Sequence, residues 1–418
     1  KTQSLKEADR ALLTELVYGT LRWRGTIDAR LSPYLRRSLA EVDPVIRNLL
    51  RLAFYQFLFL DKIPDYAVVN EAVNLARSRG GAKVAGFTNA VLRNFLRQKD
   101  RGGNFMVEDE SAATLAVTYS HPEWLVARWL TEFGPASTKS LLEANNQRAP
   151  LTLRTNSYKT TREELLQRLA KAGIEATASE QAPEAIRVKA GGAVENLPGF
   201  AEGLFQVQSE ASQLVGYLLS PLAGERILDA CAAPGGTSTH LAELMKDRGE
   251  LVAVDTSARG IERIRENAVR LGLGSVRAMR ADASEPLPGS NIGPYDRILV
   301  DAPCSGFGTL RGHPEIKWHR NEKDIQRLSR LQSKILQRVA AYLKPGGVLV
   351  YSTCTLINEE NEHVVRDFLA QHSSFELDNA ARYLPEEAQQ MMRQQFFLAL
   401  PQRDDTDGFF AARMRKVS

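Results

Sequence analysis

The sequence predicts a three-part protein whose C-terminal half is a doubly wound, Rossmann-like α/β sheet. Three observations support this prediction. Residues 1–135 show only helical spacing of apolar residues, residues 136–205 mix short strands with one helix, and from about residue 206 apolar strands alternate with helices. Near-continuous apolar strands separated by helices are typical of a parallel sheet that is covered on both faces. We therefore expect an all-α part, a small α+β part and a doubly wound α/β part, in that order.

The composition is that of a soluble globular protein. The chain has 418 residues, of which 43% are hydrophobic and 25% charged. No apolar run is long enough to cross a bilayer and no signal-peptide pattern is present, so we expect a cytoplasmic protein without a membrane partner. Three cysteines without a CxxC pair, and six histidines without zinc-ligand spacing, predict a reducing compartment and no metal. We expect the chain to act as a monomer.

The charge is distributed unevenly. Residues 1–100 hold 17 lysines and arginines against 10 acidic residues, or +7, so the remaining 318 residues sum to −3 within the net charge of +4. A basic N-terminal part is what a nucleic-acid-binding surface would show, but a solvated helical surface would show it too. Charge alone leaves both interpretations open.

The first two parts are recognised from local patterns. "DRALLTELVYGTLRW", "DPVIRNLLRLAFYQFLFL", "AVVNEAVNLARSR" and "GFTNAVLRNFLRQ" carry apolar residues at three- and four-residue spacing, with connections rich in Pro and Gly. In the middle part, "PLTLRTNSY", "IEATASE", "EAIRVKA" and "GLFQVQ" are strand-like. "TREELLQRLAKAG" predicts a helix that begins after Thr and ends at Gly.

In the last part, the predicted strands end in residues that can take part in catalysis or ligand binding. These strands are "RILDA", "ELVAVD", "SVRAMRAD", "DRILVDA" and "GVLVYST", followed by "GFFAARMRK" at the end of the chain. In doubly wound sheets, ligands bind beyond the carboxyl ends of the strands, where the strand order reverses. All three cysteines follow such strand ends, so we expect them near a ligand site.

The segment "ILDACAAPGGTSTH" predicts a cofactor site. It is a strand, a turn containing Pro234, Gly235 and Gly236, and a helix, but it lacks the GxGxxG pattern of dinucleotide sites. Asp255 and Asp282 end the next two strands. Acidic strand ends around a glycine turn suit a nucleoside that carries a cation, and S-adenosylmethionine is such a molecule. Alternatively, each aspartate merely caps a helix.

Cys304 and Cys354 predict covalent chemistry beside that cofactor. Carbon 5 of a pyrimidine is a weak nucleophile, but addition of a thiolate to carbon 6 activates it for methylation. Asp301, three residues before Cys304, is placed to assist this addition at cytosine N3. A cysteine can also be a small buried apolar residue. The residues alone do not say which cysteine attacks. A small-molecule or amino-methylating enzyme would be expected to carry an N/D-P-P-Y strand end in place of "DAPC".

Taken together, "DACAAPGG", "VDAPCSGFGTLRGHPEIKW" and "YSTCTLINEENE" resemble the signatures of the RNA cytosine-C5 methyltransferases, the NOL1/NOP2/Sun family. The resemblance also covers "FQVQSEAS" and "DGFFAARM". It implies that Cys354 is the nucleophile, that Cys304 promotes product release and that Cys231 is not reactive. The residues that it implies for binding S-adenosylmethionine are Cys231, Ala232, Ala233, Pro234, Gly235, Gly236, Thr237, Asp255, Asp282 and Asp301.

Two positions depart from the family pattern. Thr237 stands where the family usually has Lys, which puts one contact on the cofactor side in doubt. Gly260 stands where an Arg is common, with Arg259 one position earlier. Neither change affects the residues that carry the chemistry.

The N-terminal part resembles the NusB-type RNA-binding domain, through "LVYGTLRW", "PDYAVVNEAVNLAR" and "FTNAVLRNFLR", and the middle part is similar to an RRM-like subdomain. This combination implies the branch of the family that modifies 16S rRNA at the cytosine numbered 967. A tRNA cytosine-C5 methyltransferase is an alternative with the same chemistry. A catalytically inert RNA-binding or ribosome-assembly protein is an alternative of another class.

Several basic and aromatic residues are candidates for holding the RNA. Arg311, His313 and Trp318 follow Cys304 and are placed to contact the target base or its neighbours, although Trp318 can equally anchor the loop to the core. Arg22, Arg24, Arg36 and Arg37 are candidates for binding phosphates, or are ordinary surface charges.

Overall fold

The computed structural model describes residues 6–99, 109–189, 192–289 and 292–417. The helices in this part of the chain are α1 (Glu7–Arg22), α2 (Arg24–Leu31), α3 (Pro44–Phe59), α4 (Asp65–Lys99), α5 (Ala112–Thr118), α6 (Glu123–Asn145), α7 (Arg162–Lys171), α8 (Glu210–Leu219), α9 (Gly236–Leu244), α10 (Ala258–Leu271), α11 (Ile316–His319), α12 (Glu322–Ala340), α13 (Glu362–Gln371) and α14 (Pro401–Asp404). The strands are β1 (Leu151–Thr155), β2 (Glu175–Ala178), β3 (Ala185–Lys189), β4 (Phe205–Val207), β5 (Arg226–Asp229), β6 (Glu250–Asp255), β7 (Val276–Arg280), β8 (Tyr295–Asp301), β9 (Leu343–Thr353), β10 (Phe375–Leu377), β11 (Met392–Arg393), β12 (Phe396–Ala399) and β13 (Phe409–Lys416).

The chain divides into two compact units. The helical unit comprises Lys1–Gln147 and His313–His319, and the α/β unit comprises Arg148–Gly312 and Arg320–Ser418. The boundary that we expected at residues 135/136 falls inside α6, beside a kink at Gly134 (φ 76°), after which the helix continues to Asn145. The short segment 313–319 lies between β8 and α12 in the sequence but belongs to the helical unit.

The helical unit is built on local signals that the sequence contains. Asp43 caps α3 because its carboxylate accepts the backbone N–H groups of Val45 (3.0 Å) and Ile46 (3.1 Å), and Pro44 occupies the first helical position. Phe54 of α3 packs against Phe95 of α4, with ring centroids 4.4 Å apart. These contacts bury the apolar stripes of the two helices in one core.

The N-terminal portion of the α/β unit is a small antiparallel sheet with strand order β2-β3-β1-β4. Helix α7 begins with a capping box, in which Thr161 and Glu164 each accept the other's backbone N–H. Leu165 and Leu169 of α7 are buried against the sheet. The predicted α+β part is therefore present, with its helix where the sequence indicated.

The large sheet confirms the predicted doubly wound, Rossmann-like fold. Its strand order is β11-β12-β13-β9-β8-β5-β6-β7, with β10 paired to β13. Strands β5 to β9 are parallel, and β13 adds to β9 in the antiparallel sense. The chain runs outward from β5 to β7 and then crosses to β8 on the other side of β5. The strand order therefore reverses between β5 and β8, which is where such sheets bind ligands.

Candidate active site

The predicted cofactor turn lies at this reversal point. Strand β5 ends at Asp229, the loop Cys231–Gly235 follows, and α9 begins at Gly236. Gly235 has a φ of 97°, and a Cβ at this position would lie 3.1 Å from the Cα of Ile264. Only glycine meets both requirements, so the sharp turn brings backbone N–H groups and a helix N-terminus to the carboxyl end of β5.

A buried arginine of the small sheet supports this turn through hydrogen bonds. Arg154 on β1 is fully buried and donates to the Gly236 carbonyl (2.6 Å) and to the Glu243 carboxylate (2.8 Å). It also donates to the side chains of Gln208 and Thr239. Sequence reasoning did not identify Arg154, although Gln208 lies in the "FQVQSEAS" segment that carried part of the resemblance.

Asp255 and Asp282 lie at the ends of β6 and β7, as predicted, and each also caps its own turn. The Asp255 carboxylate accepts the N–H groups of Ala233 (3.1 Å) and Ser257 (2.8 Å), and Asp282 accepts that of Ser284 (2.8 Å). Through Ala233, Asp255 is tied to the cofactor turn. Capping and ligand binding are compatible, because a carboxylate oxygen has more than one lone pair.

Two further carboxyl groups lie at the same edge of the sheet, Asp229 buried and Asp301 partly buried. Asp229 accepts a hydrogen bond from Ser238 Oγ (2.6 Å) and Asp301 accepts one from Ser352 Oγ (3.0 Å). Burial raises the pKa of Asp229 to about 7 and that of Asp301 to about 6. A nearby positive charge would stabilise the ionised form of both groups, so this edge favours a cationic ligand.

The two catalytic candidates meet at the ends of β8 and β9. These strands are neighbours, with Asp301 paired to Ser352, so the loops that follow them lie side by side. The Sγ atoms of Cys304 and Cys354 are 3.4 Å apart. The Sγ contact with Cys354, together with burial, raises the pKa of Cys304 well above its ordinary value.

The backbone around Cys354 is held by two glycines in contact. Gly308 donates its N–H to the Cys354 carbonyl (2.9 Å), and its own carbonyl accepts the N–H of Gly408 (2.8 Å). A Cβ at Gly308 would lie 1.9 Å from the Gly408 carbonyl oxygen and 2.8 Å from that of Cys354. The second glycine of the "GFG" after Cys304 is therefore needed to bring this loop against the loop of Cys354.

The segment 358–362, "NEENE", supports both cysteine loops, a role that sequence reasoning missed. Glu360 Oε2 accepts the N–H of Ser305 (2.8 Å) and a hydrogen bond from Gln332 Nε2 (3.0 Å). Asn361 accepts a hydrogen bond from the Thr353 hydroxyl and donates to the Thr355 carbonyl (2.9 Å) on either side of Cys354. Burial raises the pKa of Glu360. In the sequence, the signal for this supporting role is that "NEENE" follows closely after Cys354, the proposed nucleophile.

The third cysteine differs from the other two. Cys231 lies in the cofactor turn, and burial, together with the neighbouring carboxylates, raises its pKa well above the ordinary value. A thiol with a raised pKa is mostly protonated at neutral pH and is a poor nucleophile. This environment supports the expectation that Cys231 is not reactive.

Two of the three residues after Cys304 that we expected at the target base, Arg311 and Trp318, form internal contacts instead. Arg311 is buried, pairs with Asp405 (2.8 Å) and donates to the Arg148 carbonyl (3.0 Å). Trp318 donates its indole N–H to the Leu21 carbonyl (2.7 Å) within the helical unit. Trp318 thus acts as an anchor, which was the alternative interpretation, whereas His313 is exposed.

The four arginines proposed for phosphate binding differ in exposure. Arg22 is buried, and Arg24 lies over the Trp318 ring at 5.2 Å, so neither is an ordinary surface charge. Arg36 and Arg37 are exposed.

The described residues contain no group of three or more His, Cys, Asp or Glu side chains arranged to hold a metal ion. They also contain no helix of the length and hydropathy needed to cross a membrane.

Comparison with known families matches all three parts of the chain. Residues 216–415 match the family model described as "16S rRNA methyltransferase RsmB/F". Residues 1–97 match the NusB family, and residues 121–195 match the ferredoxin-like domain of RsmF/B-like methyltransferases. The order of the three matches is that of the three predicted parts.

Curated proteins are similar over the full length. The chain is 39% identical to the "Probable ribosomal RNA small subunit methyltransferase B" of Bacillus subtilis, covering all of this chain and 92% of that protein. It is 38% identical to the ribosomal RNA small subunit methyltransferase B of Vibrio vulnificus, covering 99% and 93%. The crystal structure of PH0851 covers 99% of this chain and 92% of its own, with a TM-score of 0.86 at 29% identity.

Proposed function

The chain belongs to the RsmB/F family of 16S rRNA methyltransferases, and from this premise we propose that it methylates carbon 5 of a cytosine in 16S rRNA, with S-adenosylmethionine as the methyl donor. The observation that carries the proposal is the pair of thiols with Sγ atoms 3.4 Å apart, in the loops that follow two neighbouring strands, the first of which ends at Asp301. By family resemblance, the target is the cytosine numbered 967.

Cys354 is the nucleophile in this proposal. Its thiolate adds to carbon 6 of the cytosine and makes carbon 5 electron-rich enough to accept a methyl group. The contact between the two sulfur atoms disfavours ionisation of both thiols at once, so only one of them attacks carbon 6 as a thiolate. The family resemblance assigns the attack to Cys354 and product release to Cys304.

Cys304 assists the end of the reaction. After methylation, carbon 5 carries both a methyl group and a proton, and this proton must leave so that the bond between carbon 6 and sulfur can break. Cys304 Sγ is 3.4 Å from Cys354 Sγ, and therefore close to any adduct on that atom. For this step the Cys304 thiol first releases its own proton to water, and its thiolate then takes the proton from carbon 5. The electron pair of that C–H bond forms the double bond between carbons 5 and 6, and the bond between carbon 6 and sulfur breaks, so that Cys354 leaves as a thiolate.

Asp301 is the acid that assists the addition. Burial raises its pKa to about 6, so a fraction of the carboxyl groups carries a proton near neutral pH. A protonated or hydrogen-bonded carboxyl at cytosine N3 withdraws electrons from the ring and favours attack at carbon 6. The target base must leave its stack for this contact, because the thiolate approaches its face.

The residues fit a cationic nucleoside cofactor. The turn at Cys231–Gly236, with Thr237, Asp255 and Asp282, would hold the nucleoside, and the buried carboxyl group of Asp229 favours a positive charge nearby. When bound there, S-adenosylmethionine supplies an electrophilic methyl group.

The test is methyl transfer from labelled S-adenosylmethionine to unmodified 16S rRNA and, separately, to bulk tRNA. Cys354→Ala is expected to be inactive, and Cys304→Ala to accumulate a covalent protein–RNA adduct on denaturing gels. Cys231→Ala is the matched control and is expected to form no adduct. An adduct in Cys354→Ala instead would reverse the two roles.

The position is tested by bisulfite sequencing of the rRNA product. A single protected cytosine at 967 is the expected result. Methylation of tRNA alone would keep the chemistry and exclude the ribosomal substrate. No methylation of either RNA by the wild type would contradict the proposed function.

A further inference from the structure

Helix α4 contains a groove that the proposed catalytic chemistry does not use. The helix is interrupted at Gly80 and Gly81, where φ/ψ angles are not helical (Gly81 φ 70°), so it consists of two arms. A cavity of about 580 Å³ is lined by Tyr66, Val69, Asn70, Val73 and Arg77 of the first arm and by Ala82, Ala85, Gly86, Asn89, Arg93 and Leu96 of the second. We call it the α4 groove.

The space in the groove depends on small residues of the second arm. Ala82, Ala85 and Gly86 lie on the face that lines the cavity, and a Cβ added at Gly86 would meet no atom within 4 Å. The volume is within the range of about 300–1,000 Å³ that is typical of small-molecule sites. The groove is therefore large enough for one nucleotide, and a larger side chain at Gly86 would occupy part of it.

The polar groups at the groove match the chemistry of RNA. Arg77 donates to Asn74 Oδ1 (3.2 Å) and Arg93 donates to Asn89 Oδ1 (2.9 Å), but neither forms an ion pair with any acidic residue in the described ranges. Both guanidinium groups are exposed. They therefore keep their charge available for an anion.

The same groove offers groups that recognise a base. Tyr66 is 78% exposed, an unusual position for a large aromatic side chain, and the side chain of Asn70 lies nearby in the lining. Exposed aromatic rings stack on unpaired bases, and amide side chains form hydrogen bonds to base edges. An acidic peptide would use the arginines but would leave this ring without a partner.

We propose that the α4 groove binds one unstacked nucleotide of single-stranded RNA, with Arg77 and Arg93 on its phosphates and Tyr66 against its base. The inference rests on the proposed function, because it assumes that RNA is the substrate, and it adds a site at which the helical unit grips that RNA. The charge of +7 carried by residues 1–100 agrees with this site.

The test measures binding of fluorescein-labelled single-stranded oligouridine to the full chain by fluorescence anisotropy. Gly86→Leu places a side chain in the groove without changing any charge and is expected to weaken binding about tenfold or more, the usual effect of losing one stacked base. Gly86→Ala adds only the Cβ that meets no neighbour and is its matched control, expected to bind within about twofold of the wild type.

A second pair of variants tests the charges. Arg93→Gln is expected to weaken binding and to reduce the slope of log K against log salt by about 0.7, as for one lost phosphate contact on a single strand. Arg79→Gln removes an arginine that lies on α4 outside the groove lining, 3.8 Å from Asp43, and is expected to change the slope less. Circular dichroism melts check that all variants are folded.

Outcomes for the groove and for the proposed function can be separated. With 16S rRNA as the methyl acceptor, groove variants are expected to raise KM for RNA and to leave kcat and the Cys304→Ala adduct unchanged. Wild-type binding of oligouridine by both Gly86→Leu and Arg93→Gln would overturn the groove proposal and would favour a protein ligand there. Absence of methylation in the wild type would instead overturn the proposed function, whatever the oligouridine result.

Discussion

At the scale of single residues, Asp229 links the cofactor edge of the sheet to the stability of the protein. Burial raises its pKa to about 7, whereas a carboxyl group of this type in an unfolded chain titrates near 3.9. The folded protein thus retains a proton that the unfolded chain releases between these two values. The stabilisation is fully present below about pH 4 and is lost as the pH rises through about 7, and it amounts to ~4 kcal/mol.

The variant Asp229→Asn tests this linkage because it cannot titrate. Between pH 5 and pH 8, the free energy of unfolding of the wild type is expected to fall relative to that of Asp229→Asn. The variant therefore becomes more stable relative to the wild type as the pH rises. Urea unfolding without S-adenosylmethionine measures the difference at each pH. Glu262→Gln removes an exposed acid of α10 and serves as the control. An unchanged difference between pH 5 and pH 8 would show that Asp229 is ionised throughout.

At the scale of elements, the contact between Gly308 and Gly408 supports the loop that carries Cys354, the proposed nucleophile. A methyl group at Gly308 would overlap the Gly408 carbonyl oxygen at 1.9 Å, and both partners are backbone, so one of the loops must move. A shift of about 1 Å in a reacting group costs on the order of a hundredfold in rate. Gly308→Ala is therefore expected to lose about two orders of magnitude in methyl transfer.

Gly312→Ala is the control for this prediction. It lies four positions later in the same loop, and its nearest heavy atoms are 3.9 Å from the added Cβ. Single-turnover methylation compares the two variants, and circular dichroism confirms that both are folded. Equal rates for Gly308→Ala and the wild type would mean that the loops tolerate separation, and that the glycine contact does not position Cys354.

The elements of the α/β unit could be predicted from sequence because their signals are local. Apolar runs identified β5 to β9, and the residues that follow them identified the cysteines and aspartates at one edge of the sheet. The supporting hydrogen bonds could not be predicted, because they join positions far apart in the chain. Arg154 and Glu243, or Arg311 and Asp405, become neighbours only through folding. For this reason Arg311 looked like a free RNA ligand although it pairs internally.

At the scale of the whole molecule, the chain contributes to the helical unit twice. After Gly312 it leaves the α/β unit, adds residues 313–319 to the helical unit and returns at Arg320. The buried Lys317 amine anchors this segment by donating to the carbonyls of Arg22 (3.3 Å) and Ser120 (3.2 Å) and to Asn146 Oδ1 (2.8 Å). Burial lowers the pKa of Lys317 well below its ordinary value.

This arrangement predicts that, in a fragment of residues 148–418, the segment 313–319 lacks the hydrogen-bond partners that residues 1–147 supply. Trp318 is the only tryptophan in that fragment, and its hydrogen-bond acceptor, the Leu21 carbonyl, lies outside it. Its fluorescence is therefore expected at the longer wavelengths typical of a solvated indole. Addition of a fragment of residues 1–147 is expected to shift the emission of Trp318 to shorter wavelength, because the segment 313–319 regains its place among the helices.

The added fragment of residues 1–147 contains three tryptophans, whose emission overlaps that of Trp318. A matched variant of the fragment 148–418 separates the two contributions. Lys317→Ala in the fragment 148–418 leaves three oxygen acceptors without their donor, which costs about 1–3 kcal/mol for each buried acceptor that stays unpaired. That variant is expected to show no shift beyond the sum of the two separate spectra. If wild-type and variant fragments respond alike, Lys317 does not anchor the segment. The wild-type fragment 148–418 could also emit at short wavelength by itself. Trp318 would then be buried without the helices, and packing of the segment 313–319 into the helical unit would not be the cause of its burial.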